Sequence, residues 1–597
     1  MANGKSGMLD HPLLRKYFPL VHEDMMATYS RDLHKWLIIA PIIGVTTGLV
    51  ITLIAEIILV WVWPHVLGCY LAHHSVMIPG VVIGFILTGL IMQYLTPDPD
   101  EHSTEEIIRS YHAYRGHIQM RSFVPKLLAA ITTVGFGGSA ALEGPSIYGG
   151  GALGSWLWTK LQRFHLEPRD RRIMLLSGAA AGMAAVFRAP LTGLVFAVEV
   201  PYRDDLAHEA LLPSLIASVV SYAVLGSFLG TKPVFDFPAG TSFRGHELLW
   251  SALLGLICGL LAMAFDITFR RARTFMVEAP IPHWPKLAIG GFLTAVCGLA
   301  FVSIFKGPLI PLGPNYEAVQ QILQVHHSSS ELLVFGGLKL AGALFTLAAG
   351  GVSAIFVPLF LSGGSFGVAF AQSVVHSPSL GLFAAVGMAS FIAAGYKTPL
   401  AAVTFVAEAT GGHAYIIPAL IGAAVAYGVS GEASVSGDQR PHEAVKLGDL
   451  KGTRVREVMQ QNVVSVQASA NLREFAHSIA AHYHHTVFPV CDSLETIGTI
   501  SIRALARVPP EKWAKTAVNE FTERSTLTIS EDSDLMEALR LLMSEDGQRM
   551  LLVTSDDGKL VGILTKTNLL EALRAQSGES LELFYLGVYG DSRAGAC

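Results

Sequence analysis

The sequence predicts an α-helical polytopic membrane protein of inverted repeats with broken helices, followed by a soluble α/β domain pair. Three observations lead there. Of the 597 residues, 51% are hydrophobic and 15% charged, with a mean hydropathy of +0.47, whereas soluble domains are about 25% charged. The charge is divided unevenly: long stretches between Trp36 and Val429 hold few ionisable residues, while the chain after Gly437 has soluble composition. Within the apolar part, long spans followed by shorter runs broken by Gly and Pro occur once in each half, the texture of a transporter whose helices stop inside the bilayer.

Taken in order, residues 8–32 read as a short amphipathic helix plus a connection, within a polar cytoplasmic segment of residues 1–33. Asp10, Glu23, Asp24 and Asp32 precede any apolar run, which is not the order of a secretory signal. Arg31, His34 and Lys35 anchor the entry to the first span. Trp36 to Trp63 and Met77 to Tyr94 are long enough for a hydrocarbon core that needs about 20 apolar residues. The runs 124–140, 146–160, 174–187, 190–200 and 211–230 are shorter and interrupted. Long spans return at 248–271 and 285–305, followed by broken runs at 333–349, 354–375, 379–394, 397–408 and 415–430. The transmembrane domain is therefore set at 34–436, with repeats over 34–232 and 246–436 and a linker at 437–451. Texture, not residue identity between the halves, carries the repeat. An ordinary bundle packed through glycine would explain the 58 glycines but not the short segments.

Several classes of function fall away. A net charge of -5 with no basic stripe gives no footprint for nucleic acid. Cys69, Cys258, Cys297, Cys491 and Cys597 are scattered without metal-ligand or disulfide spacing. No nucleophile with a base and no phosphate loop stands in the apolar part, so the chain is not an enzyme.

The chemistry concentrates at helix starts. In Ala140-Ala141-Leu142-Glu143-Gly144-Pro145 one acid sits in an uncharged stretch, and Pro145 suits a first helical turn. Free N–H groups and the macrodipole there attract negative charge, either a carboxylate or a bound halide. Glu143 and an anion would compete for one place, or Glu143 would simply cap its helix. A second start lies at Ala354-Ile355-Phe356-Val357-Pro358, whose amides would face the first from the other repeat. Glu199 and Glu408 each end a run that opens with Pro-Leu, and are read first as structural carboxylates at helix ends.

At these residues the chain resembles the CLC family of chloride channels and proton/chloride antiporters. Leu142-Glu143-Gly144-Pro145 is similar to its Gly-x-Glu-Gly-Pro element, Phe187-Arg188-Ala189-Pro190-Leu191 to Phe-Asn-Ala-Pro-Leu, and Ile355-Phe356-Val357-Pro358 to Gly-x-Phe-x-Pro. The resemblance implies that Glu143 is the gating glutamate, and that Gly144 and the amides of Ile355 and Phe356 hold dehydrated chloride. It also implies a homodimer with a separate pore in each subunit. On this reading the chain is a multi-pass protein of the inner cell membrane, in contact with lipid, with both termini cytoplasmic. It would carry chloride, with other halides or nitrate as alternatives, and protons.

Three positions depart from the family pattern. His102 takes the anion-contacting place of the inner serine without flanking glycines or proline, or is a solvated loop histidine; Ser436 falls where the last helix carries an anion-contacting tyrosine, and Val200 occupies the position of the internal proton glutamate. A valine carries no proton, which favours a passive voltage- or pH-gated channel. The alternative is a proton/chloride antiporter with a different internal proton route. A cation transporter bearing the same C-terminal domains is more remote, since helix N-termini favour anions.

After the linker the chain reads twice as strand, helix, strand, strand, helix, over 452–511 and 512–578, before a tail at 579–597. Gly562-Ile563-Leu564-Thr565-Lys566-Thr567-Asn568 resembles the closing element of a CBS domain. In that family the hydroxyl approaches phosphate and the Asn carbonyl accepts from ribose, so Thr565 and Asn568 would hold an adenine nucleotide. Ala504 replaces the ribose acceptor in the first copy. No cofactor is required for transport, and the pair would either regulate it or serve only to dimerise.

Overall fold

The computed structural model describes residues 30–441 and 453–569, apart from 100–102, 163–165, 231–234, 236, 238–242, 308, 325–326, 411–412, 462, 484–486, 493–494, 525–526, 544–549, 556 and 558. Residues 8–29 of the expected N-terminal helix lie outside the described residues. The chain divides into two compact units, Met1–His442 and Glu443–Cys597.

The first unit is helical. Its first half runs α1 (Ser30–Glu56), continued through a π-helical stretch (Ile57–Val62) into α2 (Trp63–Ala72). Then come α3 (Met77–Leu95), α4 (Ser103–His112), α5 (Phe123–Gly135), α6 (Glu143–Leu161), α7 (Asp170–Phe187), α8 (Pro190–Glu199) and α9 (Leu211–Leu229). The second half runs α10 (Gly245–Glu278), α11 (His283–Ile304), α12 (Ala318–Gln324), α13 (Ser329–Ala348), α14 (Phe356–Phe370), α15 (Leu380–Tyr396), α16 (Pro399–Thr410) and α17 (Ile416–Val429). Among the described residues, 7 helical stretches are long and apolar enough to cross a membrane. With 10 residues in α8 and 12 in α16, at 1.5 Å per residue they cover only about half of a core about 30 Å thick.

The halves repeat in residues as well as in texture. Phe187-Arg188-Ala189-Pro190-Leu191 leads through Phe196 to Glu199, and Tyr396-Lys397-Thr398-Pro399-Leu400 leads at matching spacing through Phe405 to Glu408. Arg188 and Lys397 both take a left-handed backbone, at φ 51 and 58, where α7 and α15 stop before the Pro-Leu starts. Close helix contacts repeat too. A Cβ on Gly150 would lie 2.0 Å from the Gly178 carbonyl oxygen between α6 and α7, and one on Gly363 would lie 2.2 Å from that of Gly387 between α14 and α15.

Helix α4 was not among the expected elements. Its sequence nevertheless suits a helix, with Glu105 and Glu106 in the first turn and Arg109 and His112 in the last, each complementing the macrodipole. A buried ion pair from Glu106 to Lys126, 2.6 Å, fixes it to α5. Another from Arg109 to Asp438, 2.9 Å, ties it to the segment after α17. That segment includes the first residues of the expected linker, and they are not free. Gln439 is buried and donates to the carbonyls of Val200 at 2.9 Å and Tyr396 at 2.8 Å. Arg440 pairs with Tyr202.

The second unit holds two three-stranded sheets, β1 (Val466–Gln467), β2 (Val487–Asp492) and β3 (Glu495–Ser501), then β4 (Thr528–Ser530), β5 (Met550–Thr554) and β6 (Leu560–Thr565). In each, the first strand pairs in parallel with the second and the second antiparallel with the third. The copies exchange their leading segments. Gln460 bridges Ile563, and Val455 packs with Leu535, Leu551 and Leu564 in the second core. Ala517 bridges Asn471, and Val518 packs with Leu472, Phe488 and Ile500 in the first. The two copies are therefore one folding unit, not two beads.

Candidate functional site

The site lies where the two broken helix starts meet. Ala141 and Ala354 form an antiparallel bridge, and the Ser353 hydroxyl donates to the Ala141 carbonyl. A Cβ on Gly144 would stand 2.6 Å from the Ser353 carbonyl carbon and 2.7 Å from the Ala354 nitrogen, so only glycine lets the strands approach. The N-termini of α6 and α14 are thereby directed at one place in the middle of the unit.

Both first amides of α14 are occupied by side chains. The Phe356 N–H donates to Glu143 Oε1 at 2.8 Å, and the Ile355 N–H donates to the Tyr396 hydroxyl at 3.2 Å. Glu143 is fully buried, and its second oxygen, Oε2, has no hydrogen-bond partner. The buried Lys339 acts on it electrostatically while its Nζ donates to the Gly313 carbonyl at 2.6 Å. Around the amides stands an aromatic wall. The Phe356 ring lies 5.3 Å from Phe187, 5.5 Å from Phe196, 5.0 Å from Phe405 and 6.2 Å from Tyr396, between ring centres. These rings exclude water, which strengthens a charge held at the helix starts.

On the other side of the Ile355 amide lies a cavity of about 40 Å³, lined by Ser103, Thr104, Glu105, Arg273, Tyr396 and Ser436 among others. The Ser436 hydroxyl is buried there without a hydrogen-bond partner, and the buried Thr104 hydroxyl neighbours that of Tyr396. Glu105 is ion-paired across the cavity with Arg273. An anion entering this space would meet two hydroxyls, a guanidinium and, beyond Tyr396, the amides of Ile355 and Phe356.

The sequence-derived residues are thus partly gathered. Glu143, Gly144, Ile355, Phe356 and Ser436 converge, while His102 lies outside the described residues; Ser103 and Thr104 stand in the cavity wall. Ser103 has φ 64, the left-handed backbone for which a glycine would be favoured. Val200 is buried at the end of α8, with its backbone carbonyl held by Gln439. Glu199 does not face the cavity: it accepts the amides of Leu400 and Ala401 at 3.0 and 2.8 Å. Glu408 returns the arrangement, accepting those of Leu191 and Thr192 at 2.9 and 2.6 Å. Each carboxylate caps the other repeat's Pro-Leu helix, a structural role.

Tyr396 and Glu105 were missed as site residues. The signal for Tyr396 was its match to Phe187 in the repeated aromatic-basic-x-Pro-Leu run. For Glu105 none existed, because only the fold brings α4 against α10.

In the second unit Thr565 and Asn568 bind one another: Asn568 Oδ1 accepts the Thr565 amide at 3.0 Å and its hydroxyl at 2.6 Å. This turn holds both side chains at the end of β6.

Comparison with known proteins gives consistent results. Residues 83–431 match the voltage gated chloride channel family, and residues 455–511 and 518–575 match the CBS domain. The chain is 25% identical over 409 residues to an uncharacterized protein of Methanocaldococcus jannaschii, covering 68% of this chain and 96% of that one. It is 26% identical over 415 residues to the H(+)/Cl(-) exchange transporter ClcA of Yersinia pestis, covering 64% and 82%. Among solved structures, a CLC-type fluoride/proton antiporter superposes with a TM-score of 0.60 at 23% identity, over 70% of this chain and all of that one. A slow cyanobacterial Cl-/H+ antiporter gives 0.57 at 21%, over 66% and 94%. A eukaryotic CLC transporter gives 0.55 at 17%, over 90% and 98%.

Proposed function

The chain belongs to the voltage-gated chloride channel family, and from that premise we propose that it moves chloride across the membrane in exchange for protons, with Glu143 as the gate both ions share. One observation carries the reading: the Glu143 carboxylate accepts the Phe356 amide, so it occupies a place that a chloride would need. Chloride entry requires the carboxylate to leave. Protonation removes its charge and weakens its hold, because a bond to a charged acceptor is roughly twice as strong as one to a neutral one. A proton therefore opens the site, and chloride at the amides keeps the side chain out.

The other residues take the following parts. The amides of Ile355 and Phe356 replace water around the dehydrated anion, Gly144 lets the two helix starts approach, and Ser436 and Thr104 supply hydroxyls on the vestibule side. The Tyr396 hydroxyl accepts from Ile355 and can donate its own proton to the anion. The membrane unit works as a homodimer with one path per subunit, with the vestibule and both termini on the cytoplasmic side. The second unit regulates transport, with an adenine nucleotide at Thr565 and Asn568. The exchange activity of the Yersinia relative supports exchange.

Val200 favours a second reading, passive conduction, because hydrocarbon at that position carries no proton. Chloride efflux from proteoliposomes, with external pH recorded, separates the two. A chloride gradient that drives uphill proton uptake supports exchange. Efflux with no proton movement supports the passive pathway and overturns our reading.

A further inference from the structure

We propose that Glu105 is the internal proton station of this chain, doing from α4 what a carboxylate at the position of Val200 would otherwise do from α8. The inference rests on the exchange reading above. Four observations carry it. Glu105 lines the vestibule cavity together with Tyr396, and its side chain is 20% exposed, open enough to take a proton from solvent and otherwise buried. The acid that closes α8 is engaged elsewhere: Glu199 caps α16 with both oxygens. Tyr396 shares the cavity wall with Glu105, and its hydroxyl holds the Ile355 amide next to the Phe356 amide that Glu143 holds, so it lies near both acids. Finally, Glu143 Oε2 is a buried carboxylate oxygen without a partner, able to receive a proton.

The charges around Glu105 fit a group that must both hold and release one. Arg273 faces it from α10, Asp438 from the segment after α17 and Arg109 from the next turn of α4, with Tyr396 across the cavity. Arg109 is itself paired to Asp438, and Arg273 is the direct counter-ion of Glu105. In the transfer, one proton binds a Glu105 carboxylate oxygen from vestibule water. The Tyr396 hydroxyl then takes a proton from that side and gives its own towards Glu143. No other bond is made or broken, and the Glu105 carboxylate is regenerated as Glu143 becomes neutral.

The test uses the full-length protein in proteoliposomes with an imposed chloride gradient, recording chloride efflux and proton uptake together. In Glu105→Gln, which keeps an acceptor for Arg273, the ratio of proton uptake to chloride efflux should fall by about 100-fold, the lower end of what a positioned proton carrier contributes. Wild-type levels of proton uptake in this variant overturn the assignment and leave the exchange reading intact. Should the wild type show chloride efflux without proton uptake, both are overturned. If Glu105→Gln loses chloride efflux as well, Glu105→Asp decides: recovery of both fluxes supports a required carboxylate, and recovery of neither assigns Glu105 to packing.

Discussion

Replacing Glu143 with glutamine isolates the charge of the gate from its shape. In the wild type above the titration range of the carboxylate, chloride must displace a charge-assisted bond from the Phe356 amide, 2.8 Å long. Such a bond is worth about 1.5–3 kcal/mol net, against about 0.5–1.5 kcal/mol for a neutral one. Glutamine leaves a neutral acceptor in the same place, so the barrier to displacement falls by about 1 kcal/mol. Chloride should then bind roughly fivefold more tightly, since 1.4 kcal/mol is a factor of ten. Calorimetric titration of chloride into the detergent-solubilised protein at alkaline pH reads this directly. Flux supplies the sign: wild-type chloride transport should rise as pH falls and Glu143 is neutralised, whereas Glu143→Gln should be fast and flat across the same range. An unchanged affinity together with an unchanged pH profile would refute the gate.

Gly144→Ala should abolish chloride flux and folding yield, because its Cβ would sit 2.6 Å from the Ser353 backbone; Gly428→Ala, with nothing within 4 Å, should purify and transport normally. Glu408→Ala removes a carboxylate that holds two backbone amides, and should lower stability by about 1–2 kcal/mol, read as a lower melting temperature in detergent. Tyr396→Phe removes the hydroxyl at the Ile355 amide and should weaken chloride binding by about 1 kcal/mol; calorimetry showing wild-type affinity would place the anion away from that side chain.

Much of this was legible in the chain. Hydropathy runs and their breaks located nearly every membrane helix within a few residues, because a bilayer demands apolar length and punishes an unsatisfied backbone wherever a helix stops. Glu143 and the start at Phe356 were legible for the same reason: an acid before Gly-Pro, and a Gly-rich stop before Val-Pro, are local signals of helix N-termini. Even the repeat of Phe187-Arg188-Ala189-Pro190-Leu191 in Tyr396-Lys397-Thr398-Pro399-Leu400 is present in the letters, though hydropathy alone hides it. What only the tertiary structure decided is which residue answers which. That Glu199 and Glu408 cap each other's repeat, that Tyr396 holds the Ile355 amide, and that Glu105 meets Arg273 across a vestibule all depend on contacts between distant segments. Side-chain hydrogen bonds and ion pairs act over a few ångströms, and no periodicity in the sequence records which distant backbone will come within that reach.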